Sequence, residues 1–162
     1  MPTSETIVTI DIAAQLKTAF ATALSGVKQT TPAGVESSVT LRVDPDRTRT
    51  ALDTDTWPCV GVRVHEAIAH EMVQASRLRD YPVTIVAITD AADDPGQVCL
   101  SGMAQAVGNY LLAPSTLTLT AATFRYMALR AEPRRLDAED GDGSRKQWIT
   151  WDVLVGVQIS TT

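Results

Sequence analysis

Residues 65 to 71 read His-Glu-Ala-Ile-Ala-His-Glu, a run that holds both histidines of the chain. In the zinc-peptidase pattern His-Glu-x-x-His, both imidazoles share one helix face and the glutamate serves as base. Here His65 and His70 are five positions apart, so on a helix their rings point about 140° from one another. The spacing rules out that chemistry. His65, Glu66, His70 and Glu71 read instead as a polar segment after a strand. Asp90, Asp93 and Asp94 could hold a hard cation. Asp94 is better placed to cap a helix, with Asp90 closing a strand. Cys99 falls near the start of that helix, where the macrodipole could activate a thiol. No base is placed beside it in sequence, so it reads as a buried helix-face residue. Ser101-Gly102 lacks the Gly-x-Ser-x-Gly elbow. Gly141-Asp142-Gly143 is too short and too acidic to cradle a phosphate. The sequence therefore assigns no catalytic residue, no cofactor-binding residue, no metal ligand and no cofactor. It reads as a non-enzyme.

A second group carries charge rather than reactivity. Arg134, Arg135, Asp137, Glu139, Asp140, Asp142, Arg145 and Lys146 lie close together around Gly141 and Gly143. Residues 131 to 147 are expected to form one long charged hairpin loop. Two readings stand: a solvated tip, or an arm that docks on a partner or a neighbouring subunit. Loops of that length in a single domain are commonly functional or disordered. Mixed charge gives register and specificity more than affinity.

The elements that must carry these residues follow from periodicity. Residues 11 to 27 place Ile12, Ala13, Leu16, Phe20, Ala23, Leu24 and Val27 on one helical face, with Asp11 as its cap and residues 1 to 10 as a flexible N-terminus. Residues 28 to 37 read as a loop. Val39, Leu41 and Val43 alternate with Thr40 and Arg42 and read as a short half-buried strand, and Val60, Val62 and Val64, alternating with Gly61, Arg63 and His65, read as a second strand. Residues 81 to 89 are apolar on both faces and read as a central strand. Asp94-Pro95-Gly96-Gln97 opens a second helix that ends at Pro114. Residues 124 to 130 form a moderate strand. Residues 148 to 159 form a long one, with Ile149, Trp151, Val153, Val155, Val157 and Ile159 on one face. The order predicts an α+β fold: a mixed, mainly antiparallel sheet flanked by two main helices, with a long C-terminal β-hairpin.

The chain has 162 residues, of which 44% are hydrophobic and 20% charged, enough for one domain with a real core. Residues 1 to 162 are expected to be that single domain. The net charge of −5 argues against general nucleic-acid binding, which needs clustered Lys and Arg. Cys59 and Cys99 do not make a disulfide framework. No membrane span and no signal peptide are read, so the expected setting is the cytoplasm.

The order of these motifs resembles a known family. Trp57, Pro58 and Cys59 lead into the strand Val60-Gly61-Val62-Arg63-Val64-His65. A polar excursion follows, then Tyr81-Pro82-Val83-Thr84-Ile85-Val86-Ala87-Ile88-Thr89. The acidic turn Asp90-Ala91-Ala92-Asp93-Asp94 then enters a helix, and a Trp-bearing strand closes the chain. With the amphipathic N-terminal helix, this pattern is similar to the tail terminator and tail-completion proteins in the neck of tailed bacteriophages. The resemblance implies a structural virion protein made in the host cytoplasm. It would form a homo-oligomeric ring, a hexamer, on the last ring of the tail-tube protein and below a head-completion connector protein. DNA would pass through the lumen without sequence-specific binding. Two alternatives stay open: another neck or tail subunit (a head-closure stopper or a tail-tube protein), or a small bacterial enzyme or ligand-binding module resting on His65, Glu66, His70, Glu71 and Cys99.

Overall fold

The computed structural model describes residues 4–43, 58–69, 78–139 and 145–159. Two helices and nine strands are seen in that part: α1 (Ser4–Ala23), β1 (Lys28–Thr30), β2 (Glu36–Ser38), β3 (Thr40–Val43), β4 (Cys59–Val64), β5 (Ile68–Ala69), β6 (Leu78–Asp90), α2 (Val98–Leu112), β7 (Ala122–Leu129), β8 (Arg134–Glu139) and β9 (Arg145–Ile159). The α+β class holds: two helices accompany a mixed sheet of mostly antiparallel strands that ends in a C-terminal hairpin.

The sheet runs β3-β4-β6-β9-β7, with β5 added beside β6 and β8 beside β9. β3 lies parallel to β4, and every other pairing is antiparallel. All 13 residues of β6 pair with β9. Period-two alternation fixes which face is buried, because successive side chains point to opposite sides. Val60, Val62 and Val64 from β4 point to the same side as Val83, Ile85 and Ala87 from β6 and Ile149, Trp151, Val153, Val155 and Val157 from β9. Both helices cover that side. α1 supplies Val8, Ile12, Leu16 and Phe20, and α2 supplies Cys99, Leu100, Met103 and Val107. The Phe20 and Tyr110 rings meet edge-on at 5.2 Å, joining the two helices. The second face of the sheet has a smaller cluster, Val86 and Ile88 with Trp148 packed against them.

Several sequence expectations are corrected. α1 begins at Ser4, so residues 4 to 10 are helix and not a flexible terminus. The physical reason is that Val8 extends the Ile12 and Leu16 stripe by one more turn into the core. Asp11 is therefore inside the helix and caps nothing; its Oδ2 accepts hydrogen bonds from Thr120 N at 2.9 Å and Thr120 Oγ1 at 2.6 Å. The expected loop at 28 to 37 contains the small β1–β2 hairpin. The expected single loop at 131 to 147 is also revised. β8 occupies 134 to 139 and pairs with 145 to 150 of β9, and 140 to 144 lie outside the described residues. Backbone pairing with an already formed strand overrides the charge-rich composition there.

β7 and β8 form one interrupted edge along β9. Leu129 pairs with Val153 and Arg134 with Thr150, so four edge residues span two of β9. Pro133 falls in this gap, where a residue without an N–H costs no ladder bond. Arg130 N still bonds to Asp152 O at 2.8 Å.

Ile85 is fully buried at the centre of the larger core. Ile85→Ala is expected to lower the unfolding free energy by about 2–5 kcal/mol. Urea or guanidinium denaturation measures this, and a loss below that range would mean the core collapses around the cavity.

Candidate functional site

The most distinctive polar arrangement is a row across three strands. Tyr126 on β7 sits opposite Gly156 on β9, which sits opposite Asp80 on β6. The register shifts between Phe124 and Tyr126, so Arg125 is an extra residue that brings Tyr126 opposite Gly156. Gly156 is required by close approach: a Cβ there would overlap the Tyr126 ring. The ring thus lies across the glycine, and its hydroxyl donates a short hydrogen bond to Asp80 Oδ1. Burial, then the accepting Asp80 carboxylate and its charge, push the Tyr126 phenol up to about 12. Leu78, Arg125 and Val157 join these three residues around a shallow open depression of about 190 Å³. Tyr126 remains 40% exposed and Leu129, three residues on, 45%. The β7 edge thus shows one large side chain on each face of the sheet, Tyr126 on one and Leu129 on the other.

The charged group from the sequence is distributed along the neighbouring β8 and β9. Arg134 is exposed and reaches Asp152 Oδ2 at 3.4 Å. Arg135 donates to Gln97 Oε1 at 3.4 Å, linking the edge to the start of α2. Lys146 is drawn into the sheet: its Nζ meets Asp90 Oδ2 at 2.6 Å, with both side chains mostly buried. Positions 137 and 139 belong to β8 and 145 opens β9, which fixes their backbone. Asp140 and Asp142 lie outside the described residues. The structure therefore brings Arg134 and Arg135 to an exposed edge and takes Lys146 away from it.

The residues considered for catalysis take other roles. His65 Nε2 lies 2.8 Å from Thr84 Oγ1 on the adjacent strand. His70 and Glu71 lie outside the described residues. Among the described residues, no three His, Cys, Asp or Glu side chains are grouped to hold a metal. Asp90 Oδ1 accepts from Ala92 N at 2.9 Å, a turn contact. Asp94 is buried, and its two carboxylate oxygens accept from Cys99 N at 3.1 Å and Leu100 N at 3.0 Å. This corrects the expected cap in detail. Gln97, with φ 55°, stands at the cap position, and Asp94 caps from three residues further back. Pro95 lies outside the helix, which starts at Val98.

Cys59 and Cys99 are buried free thiols. Burial pushes each up to about 11; the Asp94 carboxylate adds to the rise at Cys99, and Arg42 partly opposes it at Cys59. These shifts run opposite to those that make a thiolate nucleophile. Among the described residues, no helix is long and apolar enough to cross a membrane.

Sequence reasoning missed Tyr126, Asp80 and Gly156. The one legible signal was the isolated glycine inside a strongly apolar period-two strand, which marks close approach by another group.

No family model matches the chain, and no curated protein matches it. Among solved structures it is similar to a chain from the "Virion of native gene transfer agent (GTA) particle". The identity is 18%, the match covers 90% of this chain and 97% of that one, and the TM-score is 0.45. At that score the likeness assigns this chain no role.

Three outcomes are expected. In Gly156→Ala, the Tyr126 ring is displaced and its bond to Asp80 is lost. Its phenol pKa then falls from about 12 towards the ordinary 10.0, as read by ultraviolet titration against Tyr126→Phe. An unchanged titration would mean that the glycine does not hold the ring in place. Asp94→Ala leaves two helix amides without an acceptor and should lower stability by about 0.5–2 kcal/mol in chemical denaturation. The neutral thiols stabilise the fold below pH 9.0, and that contribution is lost as pH rises towards 11, because the folded-state values lie above the unfolded ones. At pH 8 both thiols should resist a disulfide-exchange reagent until the chain is unfolded.

Proposed function

We propose that this chain is a structural subunit of a phage-type particle, a tail terminator. Copies of it close into a ring, a hexamer, at the head-proximal end of the tail. The ring caps the tail-tube protein and meets the head-completion connector on its other side.

The observation that carries this reading is the open sheet with two unlike edges. Among the described residues, β3 bounds one side, and the interrupted β7–β8 edge bounds the other with exposed Tyr126 and Leu129. Exposed strand edges are a liability in a chain that works alone and an asset in one completed by neighbours. When the two edges differ, the contact between copies is heterologous, and a heterologous contact closes a ring if the rotation allows. The motif order of the sequence, from the amphipathic helix to the Trp-bearing last strand, points the same way.

The charged residues fit a docking role at the ring's rim. Arg134 and Arg135 stand at the exposed edge, and Asp137, Glu139, Asp140, Asp142 and Arg145 surround the hairpin tip in sequence. They would set the register against tube or connector. A net charge of −5 suits a lumen through which DNA passes without being gripped.

Multi-angle light scattering and negative-stain electron microscopy of the purified chain test this reading. The expected result is a discrete ring of six chains of 17.4 kDa each, with a mass independent of concentration above assembly. Filaments that lengthen with concentration would make it a tail-tube subunit instead. A monomer at every concentration would overturn the ring.

A further inference from the structure

The ring proposed above needs an interface, and the two sheet edges carry enough detail to name one. β3 and β7 run in opposite directions. β3 is parallel to β4, and three successive antiparallel pairings then lead through β6 and β9 to β7. Two copies set side by side in the same orientation therefore bring β3 of one beside β7 of the next in antiparallel fashion, with both helix layers on the same side.

The side chains at the two edges are complementary in that arrangement. On the helix-bearing face, Leu41 and Val43 of β3 pair with Val60 and Val62 and pack half-buried against the core. On the opposite edge Met127 packs against the same core, while Leu129 beyond it stays exposed. Each edge thus ends one apolar layer with an unfinished margin. On the other face, β3 presents Arg42, opposite Gly61. Among the described residues Arg42 has no ion-pair partner. β7 presents Ala128 and Tyr126 there, opposite Leu154 and Gly156, and Tyr126 is tied to the Asp80 carboxylate.

We infer that β3 of a second copy of this chain docks antiparallel on β7, with Leu41 against Leu129, Val43 against Met127, and Arg42 opposite Ala128 and diagonal to Tyr126. That register closes both apolar margins into one layer. It also sets a guanidinium beside an aromatic face backed by a carboxylate, a favourable pairing across strands. A slip by one residue would turn Leu41 and Val43 to the wrong face. Sliding β3 along to β8 would set them against the sequence Arg134-Arg135-Leu136-Asp137-Ala138-Glu139, which offers mostly charge. This inference rests on the ring reading and adds its subunit contact.

Disulfide trapping tests the contact in the full-length chain. In Arg42→Cys/Ala128→Cys the two new thiols are four strand spacings apart within one copy, roughly 19 Å. A disulfide needs Cα atoms within about 7 Å, so only a bond between copies can form. Cys59 and Cys99 are buried and do not compete. Mild oxidation of the assembled double variant should give a ladder of covalent oligomers ending at the ring, and each single variant should give none above a dimer. Leu129→Asp should abolish assembly while circular dichroism stays unchanged. A ring that assembles but yields no ladder, or that survives Leu129→Asp, overturns this contact and leaves the ring reading standing. A parent chain that never assembles overturns both.

Discussion

The pairing of β6 with β9 is the constraint on which the rest of the structure depends. The 13 residues of β6 are matched along their whole length by β9, and each strand carries an apolar stripe on the same face. β4 and β5 attach to the far side of β6, and β7 and β8 to the far side of β9. Both helices close over the stripe these strands share. The polar ties follow the same ladder: Lys146 meets Asp90 where the two strands begin and end as a pair, and Gly156 faces Asp80 near the other end. A one-residue slip in this register would turn the buried stripe to the second face and separate both ties.

Such a ladder fixes the middle of the sheet and, among the described residues, leaves its margins open. The edges differ in length, direction and composition: a four-residue strand with one arginine on one side, and a bulged, interrupted strand with exposed Tyr126 and Leu129 on the other. An asymmetry of this kind suits the head-to-tail contact of the proposed ring better than a symmetric pairing. The thiols and carboxylates that could have carried chemistry serve the interior instead. Asp94 holds the first amides of α2, and burial raises both thiols.

What was legible in the sequence was local. The alternation of Val60, Val62 and Val64, the apolar run through Ile88 and the stripe from Ile149 to Ile159 each predict a strand within the chain segment that forms it. The helix stripe from Ile12 to Leu24 does the same, but its first turns were hidden because Pro2 and the polar run Thr3-Ser4-Glu5-Thr6 read as an unstructured start. β8 was hidden because four of its six residues are charged, and only pairing with β9 makes such a run a strand. The Tyr126–Gly156–Asp80 row was hidden for a different reason. Its members come from three separate strands, Tyr126 and Asp80 lying 46 positions apart, and one inserted residue at Arg125 decides which side chain falls opposite the glycine. Of the charged candidates, Arg134 and Arg135 sit at the exposed edge. Lys146 does not, because its register partner Asp90 draws it inward.

One internal ladder holds the subunit together, and in the proposed ring neighbouring copies complete its edges. Amide hydrogen exchange, followed by mass spectrometry in the isolated and the assembled state, addresses both halves at once. Exchange should be slow in β6 and β9 in either state, whereas in β3 and β7 it should be fast in the isolated chain and slow after assembly. Edge strands whose protection does not change on assembly would contradict this, as would a β6 that exchanges as fast as β7 in the isolated chain.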